Sequence, residues 1–348
     1  MDNNDTSDNS LYIHIPFCNI KCGYCDFLSF DDKQSLQEAY KDALLQELYN
    51  CMPSNRISTI YIGGGTPTAL PAPLLNEILN SLPPCPDITC EANPDTLTAE
   101  KINTLKAGGV NRISLGLQAA QPHLLHAIGR KGDTKTFTDS FINLRNAGFS
   151  NINVDIMFAL PRQTLEEWDD TLKLLIDLNP EHISAYALTP DVVDEKTDRL
   201  MYHHLINFLD KHGYKQYEIS NFCKPGFEST HNIRYWTLAP YTGFGIGAHS
   251  FDGKMRWQNT SDIHKYTSNK ICAKNIREEY IEADILAETI IMGLRMNKGV
   301  PTAIIPDTHY FWVQKMKTDG LLQQKDDRIS LTSLGMDLAN IIMLGFLE

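Results

Sequence analysis

Long apolar runs are missing from this chain. No stretch approaches the ~20 consecutive apolar residues that span a bilayer, and the opening MDNNDTSDNS has no apolar core of a signal peptide. A cytoplasmic protein is therefore expected. Bases are scarce beside acids. The 31 Lys and Arg against 43 Asp and Glu leave a net charge of −12, which repels nucleic acid and anionic membrane surfaces. Cysteine is too thin for a disulfide scaffold, at eight in 348 residues. What is present is ordinary globular composition, 42% hydrophobic and 21% charged. At ~150 residues per domain, this length predicts about two domains.

Six short apolar, β-branched runs follow one another: 11–15, 59–62, 88–92, 112–117, 152–158 and 182–188. Between them lie segments of helical spacing, at 36–49, 74–82, 99–107, 136–147 and 165–178. Thr98 and Thr164 stand where N-caps belong. Strands that alternate with helices predict parallel βαβ units. The unusual residues fall at the ends of nearly all the strands, which favours an incomplete β/α barrel with one mouth over an open doubly wound sheet. After about residue 195 the alternation fails. The expected organisation is a disordered tail over 1–10, a partial (β/α)6 barrel over 11–195 and an irregular covering segment over 196–270. A mainly helical, winged-helix-like domain over 271–348 completes it. The pattern from Glu278 onward reads as helix, and Gly243–Ala248, which fits G-x-G-x-x-A, reads as a close-packed turn in the wall away from the cofactor, because no βαβ unit surrounds it.

Three of the eight cysteines, Cys18, Cys22 and Cys25, form C-x3-C-x2-C just after the first strand. Cys51, Cys85, Cys90, Cys223 and Cys272 are scattered and read as small hydrophobes. Three thiolates on one turn select an iron–sulfur cluster or zinc. Structural zinc takes four ligands, commonly in paired knuckles, and no second knuckle exists. Three ligands suit a four-iron cluster with one iron open. His14, in the preceding strand, reads as pointing into the barrel.

YIHIPFCNIKCGYCDF closely resembles the cluster loop of radical S-adenosylmethionine (SAM) enzymes. The likeness continues through IGGGTPT, EANPDTLT, RISLGLQ, IGRKG, DIMFALPRQT, YEISNF, HNIRYW and GIGAHS. Within that superfamily the chain resembles the oxygen-independent coproporphyrinogen III oxidase family and its haem-chaperone branch. The resemblance implies a [4Fe–4S] cluster on Cys18, Cys22 and Cys25, whose open iron is chelated by SAM. It also implies a SAM pocket of Tyr12, Tyr24, Gly64, Gly65, Thr66, Glu91, Gln118, Arg130, Asp155 and Ala187. On chemical grounds Glu91 needs a partner if buried, which a ligand ammonium or ribose hydroxyl supplies, and Arg130 could bind a carboxylate bidentately.

Two departures separate the branches. The oxidases resemble C-x3-C-x2-C-x-C, and Phe27 stands at the place of the last cysteine. They also carry a long segment ahead of the first strand, where this chain has eleven residues before Tyr12. Both favour a haem chaperone that hands haem to an acceptor protein and draws on an electron donor. Oxidative decarboxylation of coproporphyrinogen is the alternative, and a zinc-stabilised binding module is a third reading. In HNIRYW, His231 could ligate haem iron with Tyr235 and Trp236 stacking on the macrocycle, or the motif could seal the barrel. His249 is a second candidate ligand. Arg162 and Ile246 replace a glycine and a proline of the family pattern, and Arg162 adds a charge that could meet haem propionates.

Overall fold

A computed structural model of the chain describes residues 8–188, 195–268, 277–282 and 284–347. All six expected strands form: β1 (Asn9–Ile15), β2 (Ile57–Gly64), β3 (Ile88–Ala92), β4 (Arg112–Gln118), β5 (Ile152–Phe158) and β6 (His182–Ala187). Between them run α1 (Gln37–Cys51), α2 (Ala72–Asn80), α3 (Ala99–Ala107), α4 (Pro122–Ala127), α5 (Thr134–Asn146) and α6 (Leu165–Leu178). Thr98 caps α3 by accepting from the Lys101 amide, and Thr164 with Glu167 closes a full capping box on α6.

The six strands pair in parallel and in sequential order. A doubly wound sheet reverses its order at a switch point. An unbroken order with right-handed crossovers instead leaves every helix on one face, so the other face curls on itself as a partial barrel. It does not close. After α7 (Glu195–Lys211), the strands β7 (Lys215–Glu218) and β8 (Asn221–Cys223) extend the sheet beyond β6. Following α8 (Thr230–Trp236), β9 (Thr242–Phe244) extends it beyond β1.

Alternation along each strand divides the side chains. Leu11, Ile13, Ile60, Ile62, Ile113, Leu115, Val154 and Ile156 are wholly buried in the core under the helices. The inner face is polar. Ser10, Tyr12, His14, Thr59, Tyr61, Glu91, Arg112, Ser114, Asn153, Asp155, His182 and Ser184 all point there. Most of them bond to one another, with Asn153 Nδ2 donating to Ser114 Oγ at 2.7 Å and His182 Nδ1 meeting Asn153 Oδ1 at 2.6 Å, while the buried Nε of Arg112 has no partner.

Several expectations need correction. Asn9 and Ser10 belong to β1 rather than to a tail, and residues 1–7 lie outside the described residues, as do Cys272 and the expected boundary at 270/271. The stretch expected to be irregular holds α8 and several strands. Those strands are only three to five residues long, too short for a period of two to show. Arg277–Glu282 is a strand, antiparallel to Met255–Asn259. The helix begins only at Ile285, where Asp284 caps it through the Ala287 amide. Gly243 sits inside β9 beside β1, so the G-x-G-x-x-A turn adjoins the strand leading into the cysteines and is not remote from them.

The C-terminal region has its own core of Ile290, Leu294, Val313, Met316, Ile329 and Ile342. Helices Ile285–Leu294, Tyr310–Thr318, Ser333–Asp337 and Ala339–Leu344 surround a small antiparallel sheet of Val300–Pro301, Arg328–Leu331 and Leu322–Lys325. Part of its attachment to the barrel is main-chain. Met296 bridges Glu218, Ile219 N donates to Arg295 O at 3.2 Å, and Asn297 N donates to Tyr217 O at 3.0 Å. Among the described residues no helix is long and apolar enough to cross a membrane.

Candidate cluster and cofactor site

The chain leaves β1 at Pro16 and returns at Phe30, where Phe30 N donates to Pro16 O at 2.7 Å and Cys18 N to Phe30 O at 2.9 Å. The loop so closed carries Cys18, Cys22 and Cys25. Neighbouring loops hold it in place. Thr66 N donates to Phe17 O at 2.7 Å, Gly23 N donates to Ile128 O at 3.2 Å, and Cys18 Sγ lies 3.6 Å from Thr66 Oγ1. The described cysteines form no disulfide. Burial pushes the Cys18 and Cys22 thiols up; Cys22 and Cys25 add to this at Cys18, while Arg130 opposes it at Cys22. Three soft thiolates carried on one closed loop are a donor set that fits an iron–sulfur cluster, whose thiolates bind separate irons.

The three glycines at the end of β2 answer to three different neighbours. A Cβ on Gly63 would come within 2.8 Å of the Glu91 carboxyl carbon, and one on Gly65 within 2.8 Å of Phe17 O. Gly64 has φ +112°, and a Cβ there would meet the His14 ring at 2.6 Å. His14 does point inward. Its Nε2 meets Leu28 O at 2.8 Å and its Nδ1 the Tyr12 hydroxyl at 3.0 Å, and burial lowers its pKa to about 4.

Glu91 is not short of protein partners, as had been expected. Tyr61 Oη donates to its Oε1 at 2.8 Å and Gly64 N to its Oε2 at 3.1 Å. Two carboxylate oxygens still have acceptor capacity to spare. Burial raises this carboxyl to about 7, against the pull of Tyr61. Asp155 accepts from Ser114 Oγ at 2.8 Å and Asn153 Nδ2 at 2.9 Å, and burial raises it too. Gln118 ends β4 in the left-handed region, at φ +68°. Arg130 donates to the Asn93 side chain and to Gly116 O. It also faces Cys22 and Tyr24, whose phenol burial pushes up to about 12. Tyr12 stacks on Tyr61 with centroids 6.4 Å apart. Ala187 ends β6 with its side chain exposed. Thus the cysteine loop, Thr66, Tyr24 and Arg130 meet at the mouth, with Tyr12, Gly64, Glu91 and Asp155 on the wall below. Sequence reasoning missed Tyr61 and Asn93. Tyr61 was legible as the inward residue two before Gly63, and Asn93 as part of EANPDT.

His231 is turned inward. Its Nδ1 meets Thr59 Oγ1 and its Nε2 the Tyr235 hydroxyl, both at 2.8 Å, and its ring lies 5.2 Å from that of Tyr61. Burial lowers its pKa to about 3. Both ring nitrogens are thus engaged by protein groups, the arrangement expected of HNIRYW as a seal on the barrel. Tyr235 sets its ring edge-on to Tyr241 at 4.7 Å, and Trp236 lies 4.5 Å beneath the Arg295 guanidinium. His249 is exposed at the start of its strand. Arg162, at φ +64°, is exposed and occupies a conformation that suits the family's glycine, whereas Ile246 is wholly buried. Phe27 is 68% exposed beside the cysteine loop.

Sequentially ordered parallel strands with three cysteines on the first loop define a class, the radical SAM superfamily, whose family model matches residues 12–175. The HemN C-terminal domain model matches residues 282–338. The heme chaperone HemW of Bacillus subtilis is 34% identical, over 97% of this chain and 99% of its own length. That of Lactococcus lactis is 34% identical over 97% of each chain, and that of Escherichia coli is 37% identical over 69% of each. The chain belongs to the heme chaperone HemW family. In three dimensions it matches coproporphyrinogen III oxidase (HemN) from Escherichia coli, with a TM-score of 0.85 at 23% identity, over 97% of this chain and 90% of that one. That likeness fixes the fold.

Proposed function

We propose that the protein is a haem chaperone, which binds haem and transfers it to an acceptor protein. What carries the reading is an unbridged three-cysteine loop in a chain alike, over 97% of its length, to proteins named for heme chaperoning. Cys18, Cys22 and Cys25 would hold a [4Fe–4S] cluster. SAM would lie along Gly64, Gly65 and Thr66, with Glu91, Gln118 and Asp155 accepting from its ammonium and hydroxyls, Arg130 meeting its carboxylate, and Tyr12, Tyr24 and the Ala187 backbone lining it. When bound, the cluster supplies one-electron chemistry at the sulfonium, which calls for an electron donor. Free thiols of this kind belong in a reducing cytoplasm.

Anaerobic reconstitution tests the reading, followed by iron and sulfide analysis, haem titration, and incubation with coproporphyrinogen, SAM and reductant. Cluster and haem binding without decarboxylation is the expected result. Turnover of coproporphyrinogen would replace the chaperone reading with that of an oxidase.

A further inference from the structure

A cavity of about 560 Å³ opens between β6, α7 and the C-terminal domain, at the rim of the barrel mouth. Its size lies within the ~300–1,000 Å³ of small-molecule sites. Ser184 bonds to Asn153 on the polar inner face, so Ala185 and Ala187, which line the cavity, look out of the other side of the sheet. Phe158 and Tyr202 form a stacked pair on the same wall, with ring centroids 5.9 Å apart and planes 17° apart. Met336 and Ile341 of the C-terminal domain face them. These residues make the apolar part of the lining, and Ser220 and Asn340 are polar residues beside them.

Arg295 lines the cavity where the C-terminal domain joins the sheet. Its carbonyl is fixed by Ile219 N at 3.2 Å, and its guanidinium lies 4.5 Å over Trp236 of HNIRYW. Its buried Nε has no hydrogen-bond partner. No carboxylate of the described residues lies within ion-pair distance of it. The other charges of the cavity are Arg199 and Asp337, paired at 3.1 Å, with Asp198 beside them; His203 adds a second contact to Asp337 at 3.1 Å. Glu218, the acid whose field reaches Arg295, is pushed toward its neutral form by burial and has one oxygen without a partner. A half-buried cation 4.5 Å over an indole, facing a cavity lined by both apolar and polar groups, is a seat for a carboxylate.

We propose that this cavity seats the haem macrocycle and that Arg295, backed by Trp236, takes a propionate. The proposal rests on the haem reading above and adds the location. It gives HNIRYW a role through its last residue, behind the arginine, rather than through His231 at the iron.

Haemin and its dimethyl ester, titrated into the cluster-loaded protein and followed by the Soret band, test it. Cluster iron and circular dichroism report the fold. Arg295→Met should weaken haemin by about tenfold or more, as for loss of a charge-assisted hydrogen bond, and leave the weaker ester unchanged. Ile341→Trp, which fills the cavity from a position 59% exposed, should weaken both ligands and decides the matter alone if Arg295→Met does not fold. His249→Ala should bind haemin as the wild type does. Wild-type haemin affinity in both cavity variants, or its loss in His249→Ala alone, overturns the location while leaving the chaperone reading intact. A wild-type protein that takes up no haemin overturns both.

Discussion

Tyr61 and Glu91, on adjacent parallel strands, are joined across the inner wall of the barrel by a 2.8 Å hydrogen bond from the phenol to the carboxyl. The carboxyl is nonetheless raised from 4.5 to about 7, because burial outweighs that bond. Between these two values the unfolded chain ionises first. The stability contributed by Glu91 is therefore full below pH 4.5 and is lost as pH rises through about 7. Glu91→Gln should gain up to about 3 kcal/mol over the wild type at pH 8 and nothing at pH 4. Urea unfolding at the two pH values measures it, and an equal gain at both would mean that the carboxyl titrates normally.

The same residue bears on the cofactor. Glu91→Ala should weaken SAM binding to the cluster-loaded protein by about 1.5–3 kcal/mol, the usual worth of a hydrogen bond to a charged group, with iron content unchanged. Calorimetric titration reads the affinity directly. No change would mean that the ammonium and ribose are held elsewhere.

Replacing Cys22 by Ala should abolish the four-iron cluster. Cys90 and Cys223, buried and away from the loop, should be replaceable by Ala with iron and sulfide retained. A stable four-iron cluster in Cys22→Ala, with normal SAM binding, would remove the assignment.

Gly64→Ala should destabilise the protein by more than the ~1–3 kcal/mol of a strained backbone. The added methyl meets the His14 ring as well as an unfavourable φ of +112°. Gly132→Ala is the control, with φ +137° and nothing within 4 Å of the new atom. If the two variants unfold at the same denaturant concentration, the close approach of His14 costs nothing.

His231 predicts an acid-sensitive fold. Its pKa falls from 6.5 to about 3, so its contribution to stability is present above pH 6.5 and is lost as pH falls toward 3. About 2 kcal/mol should go between pH 7 and pH 5. His231→Gln should be spared that part of the loss. An unchanged pH dependence in the variant would place the titration in another group, His14 being the next, at about 4.

The barrel was legible because its signals are local and repeated. β3 and β5 begin and end where their apolar runs do, and Thr164 announced its helix through a capping box. The cysteine loop was legible from spacing. Beyond α7 the strands are brief, and what makes them strands is their pairing with distant partners. Phe244 pairs with Ile13, and Gln258 with Glu279, relations that no window of sequence contains. The same holds for His231. Its motif marked it as special, but the Thr59 hydroxyl that engages its ring lies 172 positions away.

The main-chain splice at Met296 and Glu218 lies on the outer edge of β7, the last strand on its side of the sheet. An uncovered edge strand offers bare amides and carbonyls to any other extended chain. Here the residues that follow helix Ile285–Leu294 occupy those groups, so the C-terminal domain also works as a guard against edge-to-edge aggregation. A protein cut after residue 268 would keep Cys18, Cys22 and Cys25 and the glycines at the end of β2 and still be hard to keep in solution.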